Sequence, residues 1–122
     1  MRRILVVDDS ATMRRMVKVS LRTMQEVLFE EASNGLEAIE RLALVSVDLM
    51  ILDLNMPDMH GVEVLKFVRG HETFHDIPII VLTTRSEEDT RTATLAAGAS
   101  FYLTKPFEPK QLSEHVQTLL NA

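Results

Sequence analysis

The sequence of 122 residues lacks cysteine, a long apolar run and a basic cluster. Without cysteine it has no disulfide framework, no thiolate nucleophile and no cysteine-based metal site. No stretch approaches the length of a membrane-spanning helix, and the N-terminal apolar run ends at Asp8, too early for a signal peptide. The formal net charge is -5. Because no group of cations could follow a phosphate backbone, direct nucleic-acid binding is not expected.

What the sequence does contain is the composition of one ordinary globular domain. Hydrophobic residues make up 46% and charged residues 25% of the chain. A chain of this length builds one core rather than two, so we expect a single domain over residues 1–122.

Five short apolar runs alternate with five amphipathic segments. The runs predict strands over residues 4–7, 27–33, 49–52, 77–82 and 100–104. The segments predict helices over residues 11–24, 36–45, 61–69, 86–97 and from 109 onward. This alternation predicts an α/β fold with a parallel sheet and right-handed crossovers.

Polar side chains follow four of these strands at their carboxyl ends. Asp8 and Asp9 follow strand one, Asp53 strand three, Thr83 strand four and Lys105 strand five. Parallel strands bring these ends to one edge of the sheet, where ligands bind. Asp53 by itself could equally cap a turn. Packing alone, however, gives no reason to gather three carboxylates, and their oxygens suit Mg²⁺, so we predict a magnesium site at this edge.

The segment from His71 to His75 matches the zinc-protease pattern H-E-x-x-H. That pattern binds metal only when a helix places both histidines one turn apart. Gly70 precedes the segment and Pro78 follows it closely, which leaves no room for a helix of useful length. We therefore predict a solvated loop here rather than a zinc site.

The residues resemble the receiver domains of two-component response regulators, in particular the single-domain chemotaxis regulator (CheY-like) type. The resemblance covers the whole chain and rests on Val6-Val7-Asp8-Asp9-Ser10, Leu52-Asp53-Leu54-Asn55-Met56-Pro57-Asp58-Met59-His60-Gly61, Thr83 and Lys105-Pro106-Phe107. It implies a doubly wound, flavodoxin-like parallel sheet of five strands in the order 2-1-3-4-5, with five helices on both faces.

The resemblance also implies roles for the polar cluster. Asp53 would accept a phosphoryl group, as carboxylate nucleophiles do, from a sensor histidine kinase or a phosphotransfer protein. Asp9 and Asp53 would hold Mg²⁺ with the backbone carbonyl of Asn55, and Asp8 would hold it through water. Lys105 would stabilise the phosphoryl oxygens as a point charge. The alternative role of Lys105 is that of a counter-ion, and we expect it to take that role in the resting state.

A switch is implied as well. Thr83 would donate a hydrogen bond to the phosphoryl oxygens, coupled to an inward rotation of Tyr102. The commoner fate of a strand tyrosine is to pack its ring and keep its hydroxyl in water. Pro106 is expected to follow a cis peptide bond that sets the direction of Lys105. Helix four, strand five and helix five would then form the surface that changes on phosphorylation and binds a downstream target protein.

Two further hypotheses concern cations. Asn55 and Arg85 occupy positions that tune the phosphoryl lifetime in the family, and we expect Arg85 to shield the acyl phosphate and slow its loss. Arg14 and Lys18 form a basic side of helix one, which either docks an acidic phosphodonor or is simply solvated.

Other classes of protein fit less well. A phosphatase of the haloacid dehalogenase type would need a D-x-D pattern after strand one, and a flavodoxin-like electron carrier would need a hydroxyl- and glycine-rich phosphate loop there. A phosphorylation-independent pseudo-receiver stays as the alternative, although such domains normally lack one of the acids or the lysine. The resemblance implies a cytoplasmic signalling switch without membrane insertion, and not a turnover enzyme.

Overall fold

The computed structural model describes residues 1–121. These residues form a five-stranded parallel sheet with the strand order β2-β1-β3-β4-β5, and helices connect the strands. The elements in chain order are β1 (Arg2–Val7), α1 (Ala11–Leu21), β2 (Val27–Ala32), α2 (Gly35–Leu44), β3 (Leu49–Leu52), α3 (Gly61–Arg69), β4 (Ile79–Thr83), α4 (Glu88–Ala96), β5 (Phe101–Thr104) and α5 (Pro109–Leu120). The predicted fold and its strand order are confirmed. Within residues 1–121, no helix is long and apolar enough to cross a bilayer.

Both faces of the sheet are covered, and the alternation of side chains along β1 shows how. Leu5 and Val7 pack in a core with the apolar faces of α2 and α3, whereas Ile4 and Val6 pack with those of α1 and α5. Because successive strand residues point to opposite faces and both faces are buried, the central strands need apolar residues at every position. This is why they are continuous apolar runs in the sequence.

The predicted boundaries differ from the observed ones by up to three residues. Helix α1 ends at Leu21 instead of residue 24, and the chain then turns through Glu26, whose φ is +59°. Strand β4 begins at Ile79 rather than at residue 77, because Pro78 has no N–H to donate to the sheet. Helix α3 has the predicted bounds.

The H-E-x-x-H segment is a loop of turns, as predicted. The Nδ1 atom of His71 accepts a hydrogen bond from the Thr73 N–H at 3.0 Å, and Nδ1 of His75 lies 3.0 Å from Asp76. Arg69 fixes the loop by donating to the backbone carbonyls of His75 at 2.9 Å and Ile77 at 2.6 Å. The loop is therefore organised by contacts with its own backbone and with Arg69.

Candidate functional site

Strand register brings the three predicted carboxylates together. Val7 and Leu52 are paired on adjacent parallel strands, so the residues that follow them, Asp8 and Asp53, leave the sheet at the same level. One oxygen from each of Asp8, Asp9 and Asp53 lies within 4.8 Å of the others. Asp8 and Asp53 are each only 4% exposed, whereas Asp9 is exposed. No other such group of acids, histidines or cysteines occurs in the described part of the chain.

Lys105 supplies the ammonium group that faces this cluster. Its Nζ atom lies 2.8 Å from Oδ2 of Asp8 and 3.4 Å from Oδ2 of Asp53, and its side chain is 11% exposed. The peptide bond between Lys105 and Pro106 is cis, as expected. The structure thus gives Lys105 the counter-ion contacts expected of the resting state.

The two buried carboxylates are held in the same way. Oδ1 of Asp8 accepts a hydrogen bond from the Ser10 N–H at 2.9 Å, and Oδ1 of Asp53 accepts one from the Asn55 N–H at 3.2 Å. In each residue the other oxygen faces Lys105. Backbone donors therefore fix the orientation of both side chains.

The donor set of this cluster fits a divalent cation. The cluster holds three carboxylates, and Lys105 contacts two of them, which leaves an excess of negative charge in a partly buried place. Hard oxygen ligands of this kind suit Mg²⁺, which is usually bound through one or two carboxylates together with waters and phosphate oxygens. The acids predicted as metal ligands are thus brought together by the fold.

Helix α3 begins in direct contact with the backbone of Asp53. The Gly61 N–H donates to the Leu54 carbonyl at 2.9 Å, and a Cβ atom on Gly61 would lie 2.4 Å from the Asp53 carbonyl oxygen. A Cβ is never tolerated at that distance from backbone, so only glycine fits here without movement of the site. Sequence reasoning used Gly61 only as a helix start and as part of the family motif, and it missed this close approach to the Asp53 backbone. The low helix propensity of glycine at this place was a usable signal.

Thr83 lies at the end of β4, fully buried beside the loop that follows Asp53. Its Oγ1 atom accepts hydrogen bonds from the Arg85 N–H at 3.3 Å and, at the long distance of 3.5 Å, from Nδ2 of Asn55. Nδ2 of Asn55 also donates to Oγ1 of Thr84 at 3.2 Å. Both hydrogen bonds that the structure gives to the Thr83 hydroxyl within residues 1–121 use its oxygen as acceptor. The hydroxyl proton is used in neither of these two bonds.

Tyr102 is buried, with 5% of its surface exposed. Its hydroxyl donates to the Arg85 carbonyl at 2.6 Å, so the ring already lies inward in this structure and the hydroxyl has a protein partner. An inward rotation coupled to phosphorylation stays a prediction. The Arg91 guanidinium lies 5.7 Å from the ring centroid and donates to the Tyr102 carbonyl at 3.2 Å. A cation over a ring face adds to the hydrogen bonds in holding the ring. The contacts between Arg91 of α4 and Tyr102 of β5 therefore join these two elements.

The titration of Tyr102 provides a test of its position. Burial, and after it the nearby Glu87 carboxylate, raises the pKa of the phenol above its ordinary value of about 10. The chain has no tryptophan and no other tyrosine, so phenolate absorbance reports Tyr102 alone. We expect a native midpoint above that of the urea-unfolded chain. The stability that goes with this raised pKa is fully present below the pKa of the phenol in the unfolded chain. It is lost as pH rises through the pKa of the phenol in the folded chain. Equal midpoints would contradict the buried position.

The other cationic side chains singled out in the sequence form ion pairs within the chain. Arg85 pairs with Glu87 at 3.2 Å and is partly exposed. Arg14 and Lys18 both contact the Glu31 carboxylate, at 2.8 and 2.7 Å, and these contacts lower the pKa of Glu31. Arg14 also donates to the Asp8 carbonyl at 2.7 Å, a supporting contact that sequence reasoning missed. Docking of a phosphodonor through Arg14 and Lys18 stays a prediction.

Comparison with known proteins gives one family. The family model for the response regulator receiver domain matches residues 4–117. The chemotaxis protein CheY1 of Helicobacter pylori is 41% identical over 121 residues, which cover 97% of this chain and 96% of that protein.

Solved structures agree in fold. The Vibrio cholerae chemotaxis protein CheY4 superposes with a TM-score of 0.88 at 36% identity, covering 98% of this chain and 99% of that one. The Mn(2+)-bound form of the response regulator Rcp1 superposes with a TM-score of 0.84 at 31% identity, covering 98% and 91%.

Proposed function

The chain belongs to the response regulator receiver family and is a phosphoacceptor of two-component signal transduction, and we propose that Asp53 is the residue that receives the phosphoryl group. Strand β3 lies between β1, which carries the other two acids, and β4, which ends in Thr83. A group attached to Asp53 can therefore be contacted from both sides. This central position, with Lys105 at 3.4 Å, is the observation that carries the proposal.

The reaction needs little from the protein beyond position and charge. An oxygen of Asp53 attacks phosphorus, and the bond from phosphorus to the donor breaks with its electron pair leaving on the donor. The product is an acyl phosphate. In the proposal Lys105 exchanges its contact with Asp53 for a phosphoryl oxygen, and the Thr83 hydroxyl donates a hydrogen bond to another phosphoryl oxygen. Receiver domains are in general not turnover enzymes, and the catalysis proposed here is of the chain's own phosphorylation and dephosphorylation.

The proposed cofactor is Mg²⁺, held by Asp8, Asp9, Asp53 and the backbone carbonyl of Asn55. The three clustered carboxylates support this set, and the Mn(2+)-bound form of Rcp1 is a relative with a divalent ion. When bound, the ion neutralises negative charge as the phosphoryl group approaches.

The proposed partners follow from the family. A sensor histidine kinase or a phosphotransfer protein would be the donor, and a downstream target protein would bind the surface of α4, β5 and α5, in the cytoplasm. Tyr102 supports this surface as the switch, because it joins α4 through Arg91 to the Arg85 backbone next to Thr83. A change in the hydrogen bonds of Thr83 can therefore reach this surface through Arg85 and Tyr102.

The test of this function is the intact mass of the chain after incubation with acetyl phosphate, with Mg²⁺ and with a chelator. A single phosphoryl adduct that forms only with Mg²⁺ is expected. If no adduct forms under either condition, the phosphorylation-independent pseudo-receiver becomes the better description of the chain.

Asn55 and Arg85 remain proposed to set the lifetime of the adduct. The Arg85 side chain pairs with Glu87, and its backbone N–H donates to the Thr83 hydroxyl, so the residue lies next to the proposed phosphoryl site. We expect Arg85→Ala to lose its adduct several-fold faster than the wild-type chain, because water then reaches the phosphorus more easily. Decay is followed by intact mass after the donor is removed. An unchanged decay rate would contradict the shielding role.

A further inference from the structure

The loop between β3 and α3 is anchored on a helix elsewhere in the sequence. Both oxygens of Asp58 accept hydrogen bonds from the start of α2, Oδ1 from the Gly35 N–H at 3.0 Å and Oδ2 from the Leu36 N–H at 3.1 Å. The side chain of Asn34 accepts the N–H of Glu37 at 2.8 Å. Two of the first three donors of α2 are thus satisfied by a carboxylate from another segment.

The charge of Asp58 suits this position. The bond from the Gly35 N–H, and with it the bond from Leu36, lowers the pKa of the Asp58 carboxyl, so the group is ionised at neutral pH. A carboxylate at the start of a helix also interacts favourably with the positive end of the helix dipole. The contact is therefore a charge-assisted one and stronger than a bond between neutral groups.

The neighbouring residue adds a packing contact at the same place. A Cβ atom on Gly35 would lie 2.8 Å from Sδ and 2.9 Å from Cβ of Met59. The side chain of Met59 therefore occupies the space that the missing side chain leaves at the start of α2. The loop is tied to α2 by Asp58 through hydrogen bonds and by Met59 through packing.

The anchored loop is the one that carries Asn55. At its far end Gly61 is fixed against the backbone of Asp53 and Leu54, and the ring of Pro57 restricts the chain between them. With the ends closed and the middle fixed by Asp58, the backbone at Asn55 has little freedom.

We propose that Asp58 is a positioning residue for the magnesium site: it holds the loop on α2 and thereby keeps the Asn55 backbone in place as a ligand. This inference rests on the proposed function. Asp58 acts through the loop and touches neither the ion nor the phosphoryl group. Groups that orient metal ligands commonly change affinity 10–100-fold when they are removed.

The experiment compares two variants that both remove a cap from α2. Asp58→Ala removes the anchor of the loop, whereas Asn34→Ala removes a cap of the same helix without touching the loop. Binding of Mg²⁺ to the unphosphorylated chain is measured by titration calorimetry. We expect the Kd to rise about tenfold in Asp58→Ala and to stay within about twofold in Asn34→Ala, although both variants lower the Tm.

The Mg²⁺ dependence of phosphorylation by acetyl phosphate is the second measurement. In Asp58→Ala the half-saturating Mg²⁺ concentration should rise in step with the Kd, while the rate at saturating Mg²⁺ stays near that of the wild-type chain. Wild-type Mg²⁺ affinity in Asp58→Ala, or equal weakening in Asn34→Ala, would overturn the inference and leave the proposed function standing. Absence of Mg²⁺ binding by the wild-type chain would overturn both.

Discussion

Replacement of Asp53 by asparagine is expected to abolish the magnesium-dependent phosphoryl adduct and to leave the fold intact. The amide has no carboxylate oxygen to attack phosphorus, so no acyl phosphate can form. It keeps an oxygen that can accept the Asn55 N–H, and Lys105 keeps its closer partner, Asp8, at 2.8 Å. Intact mass after incubation with acetyl phosphate and Mg²⁺ measures the effect, and circular dichroism checks the fold.

Asp76→Asn is the matched control for that experiment. It makes the same change of charge at a side chain that is 92% exposed and lies outside the cluster. The control should acquire a full adduct. An adduct of normal yield on Asp53→Asn would place the phosphoryl group on another residue and contradict the proposed role. Because three carboxylates repel one another, Asp53→Asn is expected to be at least as stable as the wild-type chain in chelator.

Gly61→Ala is expected to lower the free energy of unfolding by about 3 kcal/mol and to slow phosphorylation together with it. The added Cβ would lie 2.4 Å from the Asp53 carbonyl oxygen and 2.7 Å from Cα of Leu54, both of them backbone atoms. Neither atom can move without moving the strand end that carries the carboxylate. Urea unfolding measures the stability, and the rate of adduct formation from acetyl phosphate measures the site.

Gly70→Ala serves as its control at the other end of the same helix. Gly70 has a φ of -90°, and the nearest atom that its Cβ would meet is the Lys66 carbonyl oxygen at 3.3 Å. This backbone conformation is open to alanine, so the change in stability should stay within about 1 kcal/mol. If Gly61→Ala behaved like Gly70→Ala in both measurements, the close packing of α3 on Asp53 would not matter to the site.

The start of α2 shows how far local sequence patterns reach. Asn34 and Glu37 resemble a capping box, in which each side chain would accept the backbone N–H of the other. One half is present, since Asn34 accepts the Glu37 N–H. The Glu37 carboxylate instead accepts the N–H of Ser33 at 2.9 Å, which lowers its pKa. The spacing of Asn34 and Glu37 is typical of a helix start, and α2 begins there. The choice between adjacent donors depended on the path of the preceding chain.

The sequence by itself determined the order of elements and the chemistry at the edge of the sheet. Apolar runs over residues 4–7, 49–52 and 79–82 specify strand segments buried on both faces. The acids that follow β1 and β3 have to meet because parallel strands end at one edge. These conclusions need only local patterns and the geometry that all parallel sheets share.

Only the tertiary structure decided which groups become partners. Arg14 contacts Glu31, the Tyr102 hydroxyl selects the Arg85 carbonyl, and Asp58 reaches α2 across 23 residues. Each of these side chains has several chemically equivalent acceptors or donors within its reach along the chain. The selection depends on distances of about 3 Å between segments far apart in sequence, and such distances are fixed only when both cores are packed.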